Sequence, residues 1–471
     1  MKGRGLRAGL CCAAIIALLV VSGGARAGGR RPYGGALEVP VRDFSGLVDP
    51  HTVETRSGRL VATLAHGHLF RVGAVGVVPE LAAGLGTVAG DVLTVTLGDS
   101  ARFHDGSPVM AQDVVASFRR IAGLGDQSPV GRLVAALGVS EAGPRMVAIA
   151  FPRGTLLDEL RALLARPEVA IVKGGQPGVG AGTFRPTTGD GDRRTLVAWE
   201  GHAEGRPWLQ EVRLVRVSRT AEEGAFRYGD VELAFEPLRM TPAGTQSARG
   251  GWSSWLLVFH PRYRGSGASG GAGALRGWVQ GAALEARLGR FVDGRTVPGE
   301  VPWPDALSPV TAGTRGAKAM LAREQMVVSY ADGEPDSEEL AKAVRDLVRP
   351  VTRGEARVLP VRGLDAGDAR RAGDPPWDLA VVRWEWAALT ASQAAFELAR
   401  ALGLSPPSAA EVLSRRVTEW ARGVVQRDEA IALVHAERPV ALHAKVRGVG
   451  GSGAGILNLP NLVDAYVPGA R

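Results

Sequence analysis

One uninterrupted apolar run, residues 8–21, restricts more than any other feature what this chain can become. At about fourteen residues it is shorter than the roughly twenty a helix needs to span a bilayer, and no comparable run follows. Lys2, Arg4 and Arg7 precede it, and small residues ending in Ala25-Arg26-Ala27 follow it, the order of an export signal with an A-x-A cleavage site. The remainder, some 444 residues from Gly28 onward, is expected to be soluble and to bury its apolar side chains by folding. That length allows two or three domains.

Both cysteines, Cys11 and Cys12, lie inside the export segment, so no disulfide and no cysteine metal ligand is expected after cleavage. They stand at the start of the apolar run, whereas a lipid-accepting cysteine follows such a run. No lipid anchor is therefore expected. The formal charge of +8 falls to about +4 without the four basic residues of that segment. Acids and bases are mixed along the rest, with no basic stripe carrying interleaved aromatics, so nucleic acid is not an expected partner.

The chain then reads as strands and helices in alternation. Asp91-Val-Leu-Thr-Val-Thr-Leu97 alternates with period two and predicts a half-buried strand. After a turn at Asp105-Gly-Ser-Pro108, Val114, Val115, Phe118 and Ile121 fall on one face of a helix with Asp113 in its first turn. Further on, strands are predicted at Met326-Val-Val-Ser-Tyr330, Arg357-Val-Leu-Pro-Val361, Trp377-Asp-Leu-Ala-Val-Val382 and Ile431-Ala-Leu-Val434. A capping-box-like pair, Asp336 and Glu339, opens a helix with Leu340, Val344, Leu347 and Val348 on its face. A second box, Ser408 to Glu411, opens one helix carrying Leu413, Val417, Trp420, Ala421 and Val424. The class is α/β. The tracts at 265–273 and 450–455 are glycine-rich and predict a linker or surface loops near a lobe boundary.

Several segments, in order, resemble the extracellular solute-binding proteins of the oligopeptide and nickel ABC importers, family 5. Phe103-His-Asp-Gly-Ser-Pro-Val-Met-Ala-Gln-Asp-Val114 is similar to that family's F-x-D-G-x-P-hydrophobic-x-A-x-D-V signature, in which Phe103, Asp105, Gly106, Pro108 and Asp113 match. Leu47-Val-Asp-Pro50, His68-Leu-Phe70 and Val78-Pro-Glu-Leu-Ala82 resemble elements that precede it. Gly182-Thr-Phe-Arg-Pro186, Gly205-Arg-Pro-Trp-Leu209 and Gly229-Asp-Val-Glu-Leu233 resemble elements that follow. The likeness covers roughly residues 45–235 and is looser beyond.

The resemblance implies a type II periplasmic-binding-protein-like fold: two lobes of mixed sheet, an extra subdomain in the first, and closure on a ligand by a hinge. The division it implies is an export segment at 1–27, a first lobe at 28–255 with the subdomain at about 75–185, a second lobe at 256–440, and a segment at 441–471 returning to the first lobe. It also implies a protein that is not an enzyme, delivering an oligopeptide or similar small solute in the periplasm to an ABC permease and its ATPase. A scaffold without transport, acting as a periplasmic sensor or interaction partner, and a binder of a nickel chelate or other non-peptide solute are the alternatives.

Signature residues Asp105, Gly106, Pro108 and Asp113 have folding roles: a tight turn, its fixed exit and a helix start. Ligand contacts are expected from the aromatics Trp252, Trp255, Trp384 and Trp386, although Trp384 and Trp386, being i and i+2, share one strand face and fit a core equally well. Peptide-binding relatives carry an acid in an Asp-Pro context after the second-lobe tryptophan, to meet the α-ammonium. Here Arg383-Trp-Glu-Trp-Ala-Ala388 has no Asp-Pro, and Glu385 either replaces that acid or points away from the cleft. The second-lobe opening is reduced to Leu275-Arg-Gly-Trp-Val279. His66 and His68 lack a third ligand of matching spacing, and no metal or cofactor is expected. Gly178-Val-Gly-Ala-Gly182 lacks the Lys-Ser/Thr of a phosphate loop, and Ser269 sits in a glycine tract unsuited to a nucleophile elbow.

Overall fold

Three sheets and the chain crossings between them set the architecture. The computed structural model describes residues 33–261 (apart from 74, 75, 188, 237 and 249), 288, 295–296, 325–451 (apart from 353, 374 and 427–429), 460–462 and 465–467. The export segment, the tract at 265–273, Leu275 to Val279 and most of the tract at 450–455 lie outside the described residues.

The first lobe is built on a four-stranded sheet in the order Ala36–Val41, Glu211–Arg216, Arg193–Ala198, Phe184–Pro186. The first pair is parallel and the others antiparallel. Leu37, Val39 and Val41 alternate into the core, as period-two burial requires. An antiparallel sheet, Thr87–Ala89, Val92–Thr96, Met146–Ala150 and Gly138–Gly143, forms a subdomain roofed by the helix Ala111–Leu124. Leu93, Val95, Val147 and Ile149 meet Val114, Phe118 and Ile121 in one buried cluster, while Val115 is half-buried at the rim.

The second lobe is a six-stranded mixed sheet, ordered Arg295–Thr296, Ala430–Glu437, Trp252–Phe259, Leu379–Glu385, Gln325–Ala331, Glu355–Val361. The last three strands run parallel to one another, with the helix Pro335–Val348 connecting two of them in a βαβ unit. Leu257, Phe259, Val328 and Val381 face that helix side with Leu340 and Val344. Leu256, Val258, Ala380 and Val382 face the opposite side with Trp377 and Leu398. Both faces are covered, which explains why Leu379-Ala-Val-Val382 reads as a continuous apolar run.

Two local readings are corrected. The helix Pro335–Val348 starts at an N-cap Glu334 with Pro335 at its first position, and no box joins Asp336 to Glu339: Asp336 pairs with Arg438 and Glu339 with Lys342. The Ser408–Glu411 box does form, with Ser408 N–H donating to Glu411 Oε2 at 2.8 Å. The helix it opens, however, stops at Leu413, and a second runs from Thr418 to Gln426. Between them Arg415 adopts φ 58°, its guanidinium pairs with Glu159, and the Leu413 carbonyl accepts from Leu156 N–H at 2.8 Å. Contacts to the subdomain thus take the groups that a continuing helix would use.

The lobes are joined where Gln246–Ala248 leads into Trp252–Phe259, and where Ala430–Glu437 leads into Val440–Leu442. The strand Val440–Leu442 lies between Leu233–Ala234 and Gln246–Ala248, so the chain returns to the first lobe there. Arg438 N–H donates to the Gly251 carbonyl at 2.9 Å, tying the two crossings together.

Candidate functional site

A cavity of about 900 Å3 opens between the lobes, at the large end of the roughly 300–1,000 Å3 usual for small-ligand sites. From the first lobe it takes Arg42 at the end of strand Ala36–Val41, residues Glu54 to Arg59 at the start of helix Arg56–Ala65, Arg219, and Phe235. From the second it takes Arg383, Trp384 and Glu385 at the end of strand Leu379–Glu385, and Glu397, Arg400 and Ala401 on helix Ala391–Ala401. The lining side chains thus come mostly from the ends of strands and helices, held by rigid sheets and helices.

The walls are dominated by arginine–carboxylate pairs that run from lobe to lobe. Arg56 meets Glu236 at 3.0 Å and Glu385 at 3.2 Å, while Arg383 meets Glu236 at 2.9 Å and Glu385 at 2.7 Å. Arg219 bridges to Glu236 at 3.3 Å and also contacts Glu334. Burial alone raises the Glu236 carboxyl, but Arg383, Arg56 and Arg219 outweigh it and hold it well below the usual range. Glu385 is lowered in the same way, burial being overcome by Arg56 and Arg383. At the other end Arg166, fully buried, joins Glu168 at 3.0 Å and Glu397 of the second lobe, and Arg59 joins Glu168 at 2.6 Å. Burial pushes Glu168 up; Arg166 and Arg59 bring it to about 2.

The five ligand candidates divide. Trp384 and Glu385 line the cavity. Trp255 is fully buried in the second-lobe core, where Arg438 and Arg383 stack over its ring at 5.0 and 5.9 Å. Trp386 is also fully buried, its indole N–H donating to Ser254 Oγ. Trp252 is half-buried, 6.5 Å from Trp386 by ring centroids, and away from the cavity wall. Trp384 stands 6.1 Å from Trp386 on the same strand face and closes the cavity side of that aromatic group. Sequence reading passed over the arginines. Arg383 and Glu385, charged at i and i+2 in a strand whose Leu379 and Val381 are core, were the available signal.

The signature residues lie in the subdomain. Phe103 is fully buried. Asp105 accepts from Ser107 N–H at 3.0 Å and pairs with Lys173, and Gly106 takes φ 85° at the turn. Pro108 bridges back to Arg102. The buried Asp113 carboxylate accepts from Met110 N–H and Gly174 N–H, both at 2.9 Å, fixing the helix start to a neighbouring loop. His66 is buried, and His68 packs on Glu80, which also faces His202. Among the described residues no group of three or more His, Cys, Asp or Glu is arranged to hold a metal. Gly178 to Gly182 forms a loop.

Residues 76–251 match the model of bacterial extracellular solute-binding proteins, family 5, middle region. That segment is similar to family 5. Members of the family are extracellular or periplasmic solute-binding proteins. No curated protein sequence matches the chain. Among solved structures, the murein tripeptide binding protein MppA of Escherichia coli is 13% identical with a TM-score of 0.70, covering 93% of this chain and 99% of that one. The oligopeptide-binding protein AppA of Bacillus subtilis, in complex with a nonapeptide, is 14% identical with a TM-score of 0.67, covering 93% and 100%. NikA of Brucella suis, in complex with Fe(III)-EDTA, is 13% identical with a TM-score of 0.70, covering 92% and 100%. At these identities the likeness is one of fold: nearly the whole chain has the two-lobed fold of these binding proteins.

Proposed function

We propose that this protein is the periplasmic solute-binding component of an ABC importer, capturing an oligopeptide or similar small solute between its lobes and delivering it to a membrane permease and its ATPase. The observation that carries the reading is the cavity of about 900 Å3, walled by both lobes and bridged by ion pairs across the seam. Closing such a site excludes water from the solute, and the closed form is what a permease can distinguish from the empty one. The export segment at residues 1–27 supports a periplasmic location. The binding step needs no chemistry on the solute.

Thermal unfolding of the protein from Gly28 onward, with di- to pentapeptides and metal chelates, tests the proposal. A solute that binds only the folded state adds about 2.7 kcal/mol at a hundredfold excess over its Kd. A concentration-dependent rise in Tm is expected with at least one class. Folded, ligand-free protein that shows no rise with any of them contradicts it.

A further inference from the structure

The cavity wall is asymmetric in charge, and the asymmetry bears on what the site can hold. Eight arginines but five carboxylates line it. Much of the balancing negative charge sits behind the wall: Glu222 and Glu168 are fully buried and pair with Arg42 and Arg59, and Glu236 pairs with Arg56, Arg383 and Arg219. None of those three glutamates lines the cavity. Arg42, Arg56 and Arg219 are thus held from the rear by these acids while staying partly exposed on the cavity wall. A guanidinium carries five N–H donors, and these ion pairs use only part of each fork.

Glu385 is the acid available in the place where a peptide ammonium anchor is expected, and its Oε1 already accepts from Arg56 at 3.2 Å and Arg383 at 2.7 Å. A ligand ammonium there would have to approach two guanidinium groups, a like-charge contact that opposes binding. Carboxylate groups, by contrast, match the fork geometry of arginine.

On the strength of the solute-binding reading, we propose that the cleft selects an anionic, carboxylate-bearing solute, held by Arg42, Arg56 and Arg219, with no ammonium anchored on Glu385. The arginine fork, preorganised by the acids behind it, binds the ligand carboxylate with little reorganisation.

Calorimetric titration of the protein from Gly28 onward with glutamyl-alanyl-glutamate, trialanine and lysyl-alanyl-lysine, each free and N-acetylated, and with citrate, tests this. The glutamyl peptide or citrate is expected to bind at least about tenfold more tightly than trialanine, in keeping with one added charge-assisted hydrogen bond. N-acetylation is expected to leave the affinity within about twofold, since no ammonium contact is lost. Citrate binding without peptide binding identifies a non-peptide carboxylate, and peptide binding an acidic peptide; both support the proposal. Arg219→Gln, and Arg42→Gln as a second variant, are each expected to weaken that binding about tenfold; each also takes a guanidinium from a buried acid and is expected to lower the Tm, so binding is read well below the unfolding transition. Tighter binding of trialanine or of the lysyl peptide, or loss of binding on acetylation, overturns the anion reading and leaves solute capture standing. Binding of none of the seven ligands by folded protein overturns the anion reading, while solute capture is decided by the thermal-unfolding series with peptides and metal chelates.

Discussion

At the residue scale the molecule depends on ionisable groups kept in unusual states by their surroundings. His51, His66, His104 and His435 are buried, and burial is the leading cause of pKa values lowered to about 4, 3, 4 and 3. Their ordinary value is about 6.5. A histidine kept neutral in the folded state contributes nothing to the pH dependence above that value. As pH falls below it, the unfolded chain takes up protons that the folded chain does not, so stability drops until the folded value is reached. Glu80 and Glu168, both brought to about 2 by histidine or arginine partners against the effect of burial, extend the loss from about pH 4.5 downward. Denaturant unfolding at a series of pH values is therefore expected to show a plateau near pH 7 and above, a decline beginning near pH 6, and a steeper one below about 4.5. A flat profile between pH 7 and 4.5 would contradict these histidines being neutral and buried.

At the element scale the two crossings between lobes bring backbone into close contact. A Cβ on Gly250 would lie 1.6 Å from the Arg438 carbonyl oxygen, far inside non-bonded contact, because the two crossing segments touch there. Gly250→Ala must push the crossings apart and strain the Arg438–Gly251 hydrogen bond. The expected outcome is a loss of about 1–3 kcal/mol, read from the midpoint of denaturant unfolding, in the range of an overpacking substitution. Unchanged stability would show that the crossings separate freely.

The elements themselves were largely legible. Period-two burial marked Val92–Thr96 and the apolar runs marked Gln325–Ala331 and Leu379–Glu385, since local pattern and tertiary burial agree there. Arg415, which breaks the predicted single helix, was not legible, because its positive φ is imposed by Glu159 from a segment far away in sequence. The site was less legible still. Its arginines come from scattered element ends with no shared period, and each reads locally as an ordinary surface charge until the fold sets Glu222, Glu236 or Glu168 behind it. Trp255 and Trp386 illustrate the converse: aromatic residues attractive as ligand plates that the six-stranded sheet needs for its two cores.

At the scale of the whole molecule, two lobes are held across a polar seam by Arg56–Glu385, Arg383–Glu236 and Arg166–Glu397, with the space between them left for a solute. Buried ion pairs of this kind add little net stability, because desolvation offsets their attraction, and they suit a seam that has to open and close. The central claim is that a solute is enclosed in that space. Ala401, half-buried at the end of helix Ala391–Ala401, lines the cavity and tolerates a larger side chain more readily than the packed cores do. Calorimetric titration of Ala401→Trp beside the unaltered protein, with whichever solute raises the Tm, is the most direct test. The indole should intrude into the cavity and weaken binding while the variant keeps its unfolding temperature without ligand. Undiminished binding by the folded variant would place the solute elsewhere and contradict the account.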